Sequence, residues 1–324
     1  MSDFDVSVVG ELNLDLIFYG APPELALDHE HLAKDLSITL GSSSAIFAHN
    51  LTLLGNKVGF SSCIGDDPLG EVCFQRLGES GVDLSRVRRF SGKTTGLSVI
   101  LPQQKQRYIL TYPGTMYDMT LKDLDLDYVF SARHLHVSSY YLQRALRPDL
   151  EELFQKAKGA GMTTSLDTND DPEDRWPADV QHLLKYVDVF MPNEREACKI
   201  AQVEDVNSGA KILSQKVPLV VVKRGPQPVL CYRGAEKYTA SPLVTGVVDP
   251  VGAGDSFDAG FIHQFIRGVK IEDCLKFANI TGALSTTREG GTEAFRDTKH
   301  REQFLRKHWS AASPAASTVR TNRK

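Results

Sequence analysis

From about Asp127 onward the chain repeats one pattern, and that pattern restricts the possible folds most. Short apolar runs, His134–Val137, Thr163–Leu166, Val187–Phe190 and Leu219–Val222, alternate with stretches of helical periodicity such as Arg147–Gly159 and Glu194–Ala201. Short strands joined through amphipathic helices make a parallel sheet with helices on both faces. Such sheets bind ligands at the carboxyl ends of their strands, so the residues just after each run are where chemistry is expected. Asp5–Val9 is a further apolar strand, closing on Gly10. A dinucleotide fold would continue there as Gly-x-Gly-x-x-Gly, and this chain does not.

The densest chemistry lies in Asp249–Phe265. Pro250 biases Asp249 away from helix, while Gly252 and Gly254 permit positive φ or a close backbone approach to a ligand. After Asp255 the apolar residues fall at Phe257, Phe261 and Phe265, with Ile262 and Ile266 beside them, which is one face of a helix. A Gly-rich turn thus feeds a helix N-terminus, where the N–H groups of Gly252, Ala253, Gly254 and Asp255 can converge on an anion. A carboxylate at the same place can take a proton from a hydroxyl, and the two together are the parts of a phosphoryl-transfer site. The plainer reading makes Asp255 or Ser256 an N-cap after a tight connection. No Walker A sequence is present, which excludes a P-loop kinase.

On these residues the segment resembles the C-terminal signature of the ribokinase-like (PfkB) carbohydrate kinases, Asp-x-x-Gly-Ala-Gly-Asp-x-Phe-x-x-Gly, and the resemblance runs from about Val6 to about His308. It implies an α/β fold, a ribokinase-like three-layer sandwich with a mostly parallel central sheet plus a small β-sheet lid. The kinase domain would span residues 1–309, with the lid drawn from about 12–40 and 93–115. The apolar-poor segment 310–324 would be a disordered tail. The resemblance makes Asp255 the catalytic base and the Gly252, Ala253 and Gly254 amides an anion hole. It makes Asn13 and Asp15 ligands of sugar hydroxyls. The family's N-terminal signature survives as Gly41, Ala45, Leu54 and Gly55, but Ser42 stands for its second glycine and Ile46 for its asparagine. That asparagine is a sugar ligand in ribokinases, so its loss argues against plain ribose, while Gly41 and Ser42 remain candidates to meet substrate.

Three later segments extend the resemblance. Asp167-Thr168-Asn169 follows a strand and would lie near substrate or phosphate. Asn193 and Glu196 match an Asn-x-x-Glu motif that places Mg²⁺ through water, and the same spacing is a helix capping box. Lys223, Gly225 and Asn279 would border the nucleotide, together with Gly252 and Gly254. The Asp249 and Val251 carbonyls, with the 286–291 loop, would be ligands of K⁺ in members that need it. In the lid, Lys93, Arg107, Tyr112 and Thr115 are further candidates to meet substrate.

Charge and composition narrow the partners. Lys plus Arg number 37 and Asp plus Glu 41, a formal net charge of −4, which favours neither nucleic acid nor an anionic membrane. No apolar run reaches the roughly 18 residues of a membrane span, and the N-terminus lacks a signal-peptide pattern, so a cytoplasmic protein is expected. The five cysteines have no C-x-x-C spacing and are expected as reduced, mostly buried thiols. The reading is an ATP-dependent carbohydrate kinase using Mg²⁺, with K⁺ as a candidate, and a homodimer through the lid. Its rivals are a nucleoside kinase of the same family and a non-catalytic sugar- or nucleotide-binding regulator.

Overall fold

The structure, a computed structural model, describes residues 2–22, 24–103 and 106–309. The expectation for the 310–324 tail and the tip of the turn at 104–105 fall outside these residues. In chain order the strands are β1 (Phe4–Val9), β2 (Leu14–Tyr19), β3 (Asp35–Leu40), β4 (Val58–Gly65), β5 (Asp83–Phe90), β6 (Leu97–Gln103), β7 (Gln106–Tyr112), β8 (Ala132–Val137), β9 (Thr163–Leu166), β10 (Val189–Phe190), β11 (Leu219–Val222), β12 (Val229–Arg233) and β13 (Glu236–Ala240).

Nine of them form the main sheet in the order β13-β12-β11-β10-β9-β8-β1-β4-β5. Pairing is parallel from β5 to β11 and antiparallel at β11–β12 and β12–β13. Neighbouring residues of one strand serve opposite cores, as the two-residue period requires. Val220 and Val222 of β11 pack into one cluster with the helices Leu150–Gly159, Glu194–Ala201 and Val206–Leu213, whereas Val221 packs into the other with Ser43–Leu53, Ala253–Phe265 and Ile271–Ser285. The result is three layers, helix–sheet–helix, as anticipated. The expected strand Val187–Phe190 shortens to Val189–Phe190 because a 3₁₀ turn occupies Leu184–Tyr186. Charged β5 and the hairpin β12–β13 escape the apolar pattern because both lie at sheet edges, where polar side chains also discourage pairing with another chain.

The second sheet has the order β3-β2-β6-β7. β2 pairs antiparallel with β3 and parallel with β6, and β6 and β7 form a hairpin. Asp15, Ile17 and Tyr19 lie on one face of β2, and that face turns toward the carboxyl ends of the main strands. The opposite face carries Leu36, Tyr108, Leu110 and Tyr112, which are exposed.

Candidate active site

Five loops that follow main-sheet strands converge beneath the small sheet. Glu11 and Asn13 come after β1, Ser138 and Ser139 after β8, and Asp167 and Asn169 after β9. Asn193 follows β10 and Lys223 follows β11, where these two residues are joined by a short parallel bridge. Asp255 enters from the start of the helix Ala253–Phe265.

The loops and the lid enclose a cleft of about 620 Å³ that contains Asn13, Asp15, Ser42, Glu196, Gly252 and Asp255. Asn13 and Asp15, which an amphipathic strand could have turned to solvent, are buried at 2% and 6% exposure. Gly41 is required beside them, since a Cβ there would stand 2.1 Å from Asp15 Oδ1 and 2.8 Å from Asn13 Nδ2. Ser42 caps the helix Ser43–Leu53 by accepting from the Ala45 N–H and also donates to the Glu11 carbonyl. The opposite wall is a network around the buried Glu11 carboxylate. Ser44 Oγ donates to it at 2.8 Å and Ser139 Oγ at 2.7 Å, and Asn169 Nδ2 donates to both Ser43 and Ser139. Ser42, Ser139 and Asn169 all hold positive φ, of 71°, 56° and 53°. Left-handed backbone at three non-glycine residues around one cleft is strain concentrated where positions must be fixed.

The turn before the helix Ala253–Phe265 is capped by Gly252 at φ 73°, with no side chain contributing. A Cβ on Gly252 would come within 2.4 Å of the Gly291 Cα, so this turn is open only to glycine. Asp255 is therefore the third residue of the helix and not its cap, which removes the plainer reading. The Ala253 N–H is engaged by the Pro250 carbonyl at 3.3 Å. The Gly254 and Asp255 amides belong to the first turn, where a helix supplies no acceptor. Beyond Gly254 opens a second cavity of about 400 Å³, bordered by Lys223, Gly225, Leu243, Val244, Phe257 and Asn279. Its walls are largely apolar, and its inner end is the same helix start. The residues thus fit a nucleotide whose phosphates reach the Gly252–Asp255 amides. Leu243, Val244, Thr245 and Val247, which precede the Gly-rich turn, form part of this cavity's rim.

Lys223 borders this cavity, and its charge is also engaged from within the protein. Its ammonium lies 2.8 Å from Asp167 and 2.7 Å from Asp258, both almost fully buried, below the helix start. It is the counter-charge of a carboxylate cluster that includes Asp255 and Glu196. Burial, then the Asp167 charge, raises the Asp255 carboxyl to about 6, against the pull of Lys223 and a hydrogen bond from Ser43. Burial and Asp255 raise Asp15 to about 7, against Arg107. Glu196 rises to about 8 through burial and Asp167. A group near 6 is ionised at neutral pH yet basic enough to accept a proton.

Asn193 and Glu196 form the capping box that their spacing predicts, with the Asn193 N–H donating to Glu196 Oε2 at 2.8 Å and Asn193 Nδ2 to Oε1. Both also line the acceptor cleft. Each carboxylate oxygen keeps lone-pair capacity for a water, so this oxygen-only set fits Mg²⁺ held through its waters. The Asp249 carboxylate is filled by donors from Tyr19, Val251 and Gly290, which leaves any K⁺ there to main-chain carbonyls. Asn279 Nδ2 is used by the Ala240 and Ser241 carbonyls and so shapes the nucleotide cavity's edge. Of the lid candidates, Arg107 borders the acceptor cleft, Tyr112 is exposed on the opposite face, Lys93 pairs with Asp118, and Thr115 is buried against Cys63. Trp176 packs in the core against Tyr141. Glu11, Ser139 and Asp258 were not anticipated. The one local signal was a carboxylate, Asp258, on a helix face between Phe257 and Phe261.

The described residues contain no helix long and apolar enough to cross a membrane, and all five cysteines are free. Comparison with known proteins places these features. An ATP-dependent ribose-1-phosphate kinase from Halopiger xanaduensis is 29% identical over 78% of this chain and 82% of its own length. A cytidine kinase from Thermococcus kodakarensis is 28% identical over 84% of this chain and 92% of its own. A crystal structure of Arabidopsis thaliana ribokinase with ribose and ATP superposes with a TM-score of 0.79 at 25% identity, covering 95% of this chain and 99% of that one. The pfkB family carbohydrate kinase profile matches residues 3–298, and the chain belongs to that family, as a sugar kinase that transfers phosphate to an alcohol group.

Proposed function

We propose that the protein phosphorylates a sugar hydroxyl with ATP, using Asp255 as the base and the Gly252–Asp255 amides as the anion hole. The observation that carries this reading is the meeting of two cavities at one helix start. The polar cleft under the lid is lined by Gly252 and Asp255, the apolar cavity beside Phe257 by Ala253 and Gly254, so the two abut along one turn of backbone. The acceptor hydroxyl is held by Asn13 and Asp15 from the lid side and faces Asp255. Asp255 takes its proton as the oxygen attacks the γ-phosphorus of ATP, and ADP leaves through the second cavity. The amides stabilise charge on the transferring group, which is mostly positioning and electrostatics, not covalent chemistry by the protein. Mg²⁺, when bound, neutralises charge on the β- and γ-oxygens; Asn193 and Glu196 would hold it through water. Lys223 keeps the surrounding carboxylates from adding up to an unopposed negative field. Main-chain carbonyls of Asp249 and Val251 are the place for K⁺.

The departure at Ile46 turns an apolar side chain into the acceptor cleft, which weighs against plain ribose. Likeness to the Thermococcus cytidine kinase makes a nucleoside the second reading for the acceptor. The working form is a cytoplasmic homodimer, paired through the outer face of the small sheet. Coupled measurement of ADP release with ATP, Mg²⁺ and a panel of sugars, sugar acids, sugar phosphates and nucleosides tests the assignment. Release with a sugar class is the expected result. Release only with nucleosides would move the protein to the second reading, and none with any acceptor would overturn both.

A further inference from the structure

The lid's inner face continues beyond the acceptor cleft onto the turn that carries the anion hole. Side chains alternate along a strand, so Asp15, Ile17 and Tyr19 of β2 share one face. Asp15 meets the acceptor cleft. Ile17 packs with Ile100 against Val251, and Tyr19 rests on the same small cluster. The Tyr19 hydroxyl then donates to Asp249 Oδ2 at 2.6 Å. That oxygen also accepts the Gly290 N–H at 2.9 Å, and Oδ1 accepts the Val251 N–H at 2.9 Å. One carboxylate therefore ties together the lid, the turn leading to Gly252 and the 286–291 loop. The turn and the loop are in direct backbone contact at Gly252 and Gly291. A second lid strand reaches the same place, where Thr39 of β3 donates to Glu293 at 3.4 Å.

We propose that Tyr19 is a positioning residue that couples docking of the lid to the order of the anion hole, an inference that rests on the kinase reading above. Of the three bonds on the Asp249 carboxylate, only the one from Tyr19 crosses from the lid to the main domain. A hydroxyl donating to a carboxylate is a short, charge-assisted bond. Burial and the Asp249 charge push the phenol's titration upward, so it stays a donor. Lifting the lid removes this donor and, with Ile17 and Ile100, the apolar cover of Val251. Asp249 then keeps two backbone partners, and the turn from Asp249 to Gly252 gains freedom. Fixed amides stabilise a developing charge because they need no reorganisation when it forms. An anion hole that is fixed only under a docked lid works when an acceptor fills the cleft and idles when water does. Backbone donors have no side chain to move away, so a support that comes and goes with the lid is a direct way to control them.

Tyr19→Phe keeps the ring and its packing and removes only the donor. It should lower kcat about 10- to 100-fold, as the loss of one hydrogen bond to a charged group would, while the KM for ATP changes less than about twofold. Asp249→Asn should lower kcat too, and adding Tyr19→Phe to it should cost little more, because both changes break one interaction. Independently of any acceptor, amide hydrogen exchange at residues 250–255 and 289–291 should speed up in Tyr19→Phe while the rest of the main sheet is unchanged. Unaltered exchange there, or effects of the two substitutions that multiply, would overturn the proposal. A lower melting temperature with normal kcat would also overturn it, by making the bond purely structural. Since the exchange measurement needs no substrate, failure of the wild-type protein to phosphorylate any acceptor would count against the kinase reading alone.

Discussion

Asp255 sits where a carboxylate can leave the helix undisturbed when it is changed. It is the third helical residue, and Gly252 supplies the cap through its backbone. Asp255→Asn should therefore fold and bind nucleotide much as the wild type does, while losing the ability to accept a proton. A positioned general base typically contributes about 10²–10⁴-fold, and phosphorylation should fall by that order. Initial rates beside a nucleotide titration check this, and near-normal turnover would reject Asp255 as the base. Glu196 is a different case, because its carboxylate both closes a capping box and faces the cleft. Glu196→Gln keeps an acceptor for the Asn193 N–H but weakens attraction for Mg²⁺. The expected outcome is a half-saturating Mg²⁺ concentration raised several-fold at little cost in stability, since a cap of this kind is worth about 0.5–2 kcal/mol and Gln retains part of it. An unchanged magnesium titration would leave Glu196 a cap alone. At this scale the sequence was legible where the chemistry is local. Gly252–Asp255 and the Asn193–Glu196 spacing declare themselves within a few residues. The Glu11–Ser139 bond spans 128 residues and the Lys223–Asp258 pair spans 35, so neither has a local signature. The strand-end position of Lys223 was visible in the sequence, whereas its buried partners Asp167 and Asp258 were not.

The elements follow the same division. The strand β11, buried on both faces, was readable as a continuous apolar run. The hairpin β12–β13 was not, because its outer strand opens on two charged residues, Glu236 and Lys237, and has no apolar run. The lid could be assembled from β-rich runs on either side of a turn, and its two faces now have distinct tasks. The inner face lines the acceptor cleft and touches Asp249. The outer face presents Ile38, Leu36, Tyr108, Leu110 and Tyr112 at 44% to 74% exposure. A four-stranded sheet with an apolar outer face is an exception among monomers, and pairing with a second copy would cover it. Light scattering at micromolar concentration should thus show a dimer. Leu110→Asp, which places a charge at the most exposed apolar position of that face, on its edge strand β7, should shift it to monomer without unfolding the main domain. A monomeric wild type, or a Leu110→Asp dimer, would rule out this surface as the interface.

For the molecule as a whole, the site's carboxylates set how stability varies with pH. Asp15, Asp255 and Glu196 have folded-state values of about 7, 6 and 8, all above the ordinary carboxylate range, with burial the leading cause in each. Between about pH 4 and 8 the folded protein therefore holds protons that the unfolded chain has released. Stability changes with pH as the protons bound by the unfolded state minus those bound by the folded state, and for these groups that difference is negative. Their contribution is complete below the unfolded value near 4 and is lost as pH rises through 6 to 8. The half-buried, hydrogen-bonded carboxylates with lowered values, such as Asp5, Asp67 and Asp83, act in the opposite sense at more acidic pH. Four buried histidines whose values burial lowers, His49, His134, His136 and His263, act in the opposite sense up to about pH 6.5, so within the window from pH 5 to 8 the ligand-free protein should lose melting temperature only above about pH 6.5. One pKa unit corresponds to about 1.4 kcal/mol, so Asp15 alone accounts for on the order of 1–3 kcal/mol across this window. Asp15→Asn removes that group's ionisation while keeping its size, and its melting temperature should decline less steeply, by several degrees over the same range. Parallel slopes for the two proteins would mean that the Asp15 carboxyl is already ionised in the folded state at pH 5. A wild-type melting temperature that rose from pH 6.5 to 8 would mean that the carboxylate cluster as a whole is compensated by Lys223. The tension between stability and charge would then lie outside the site.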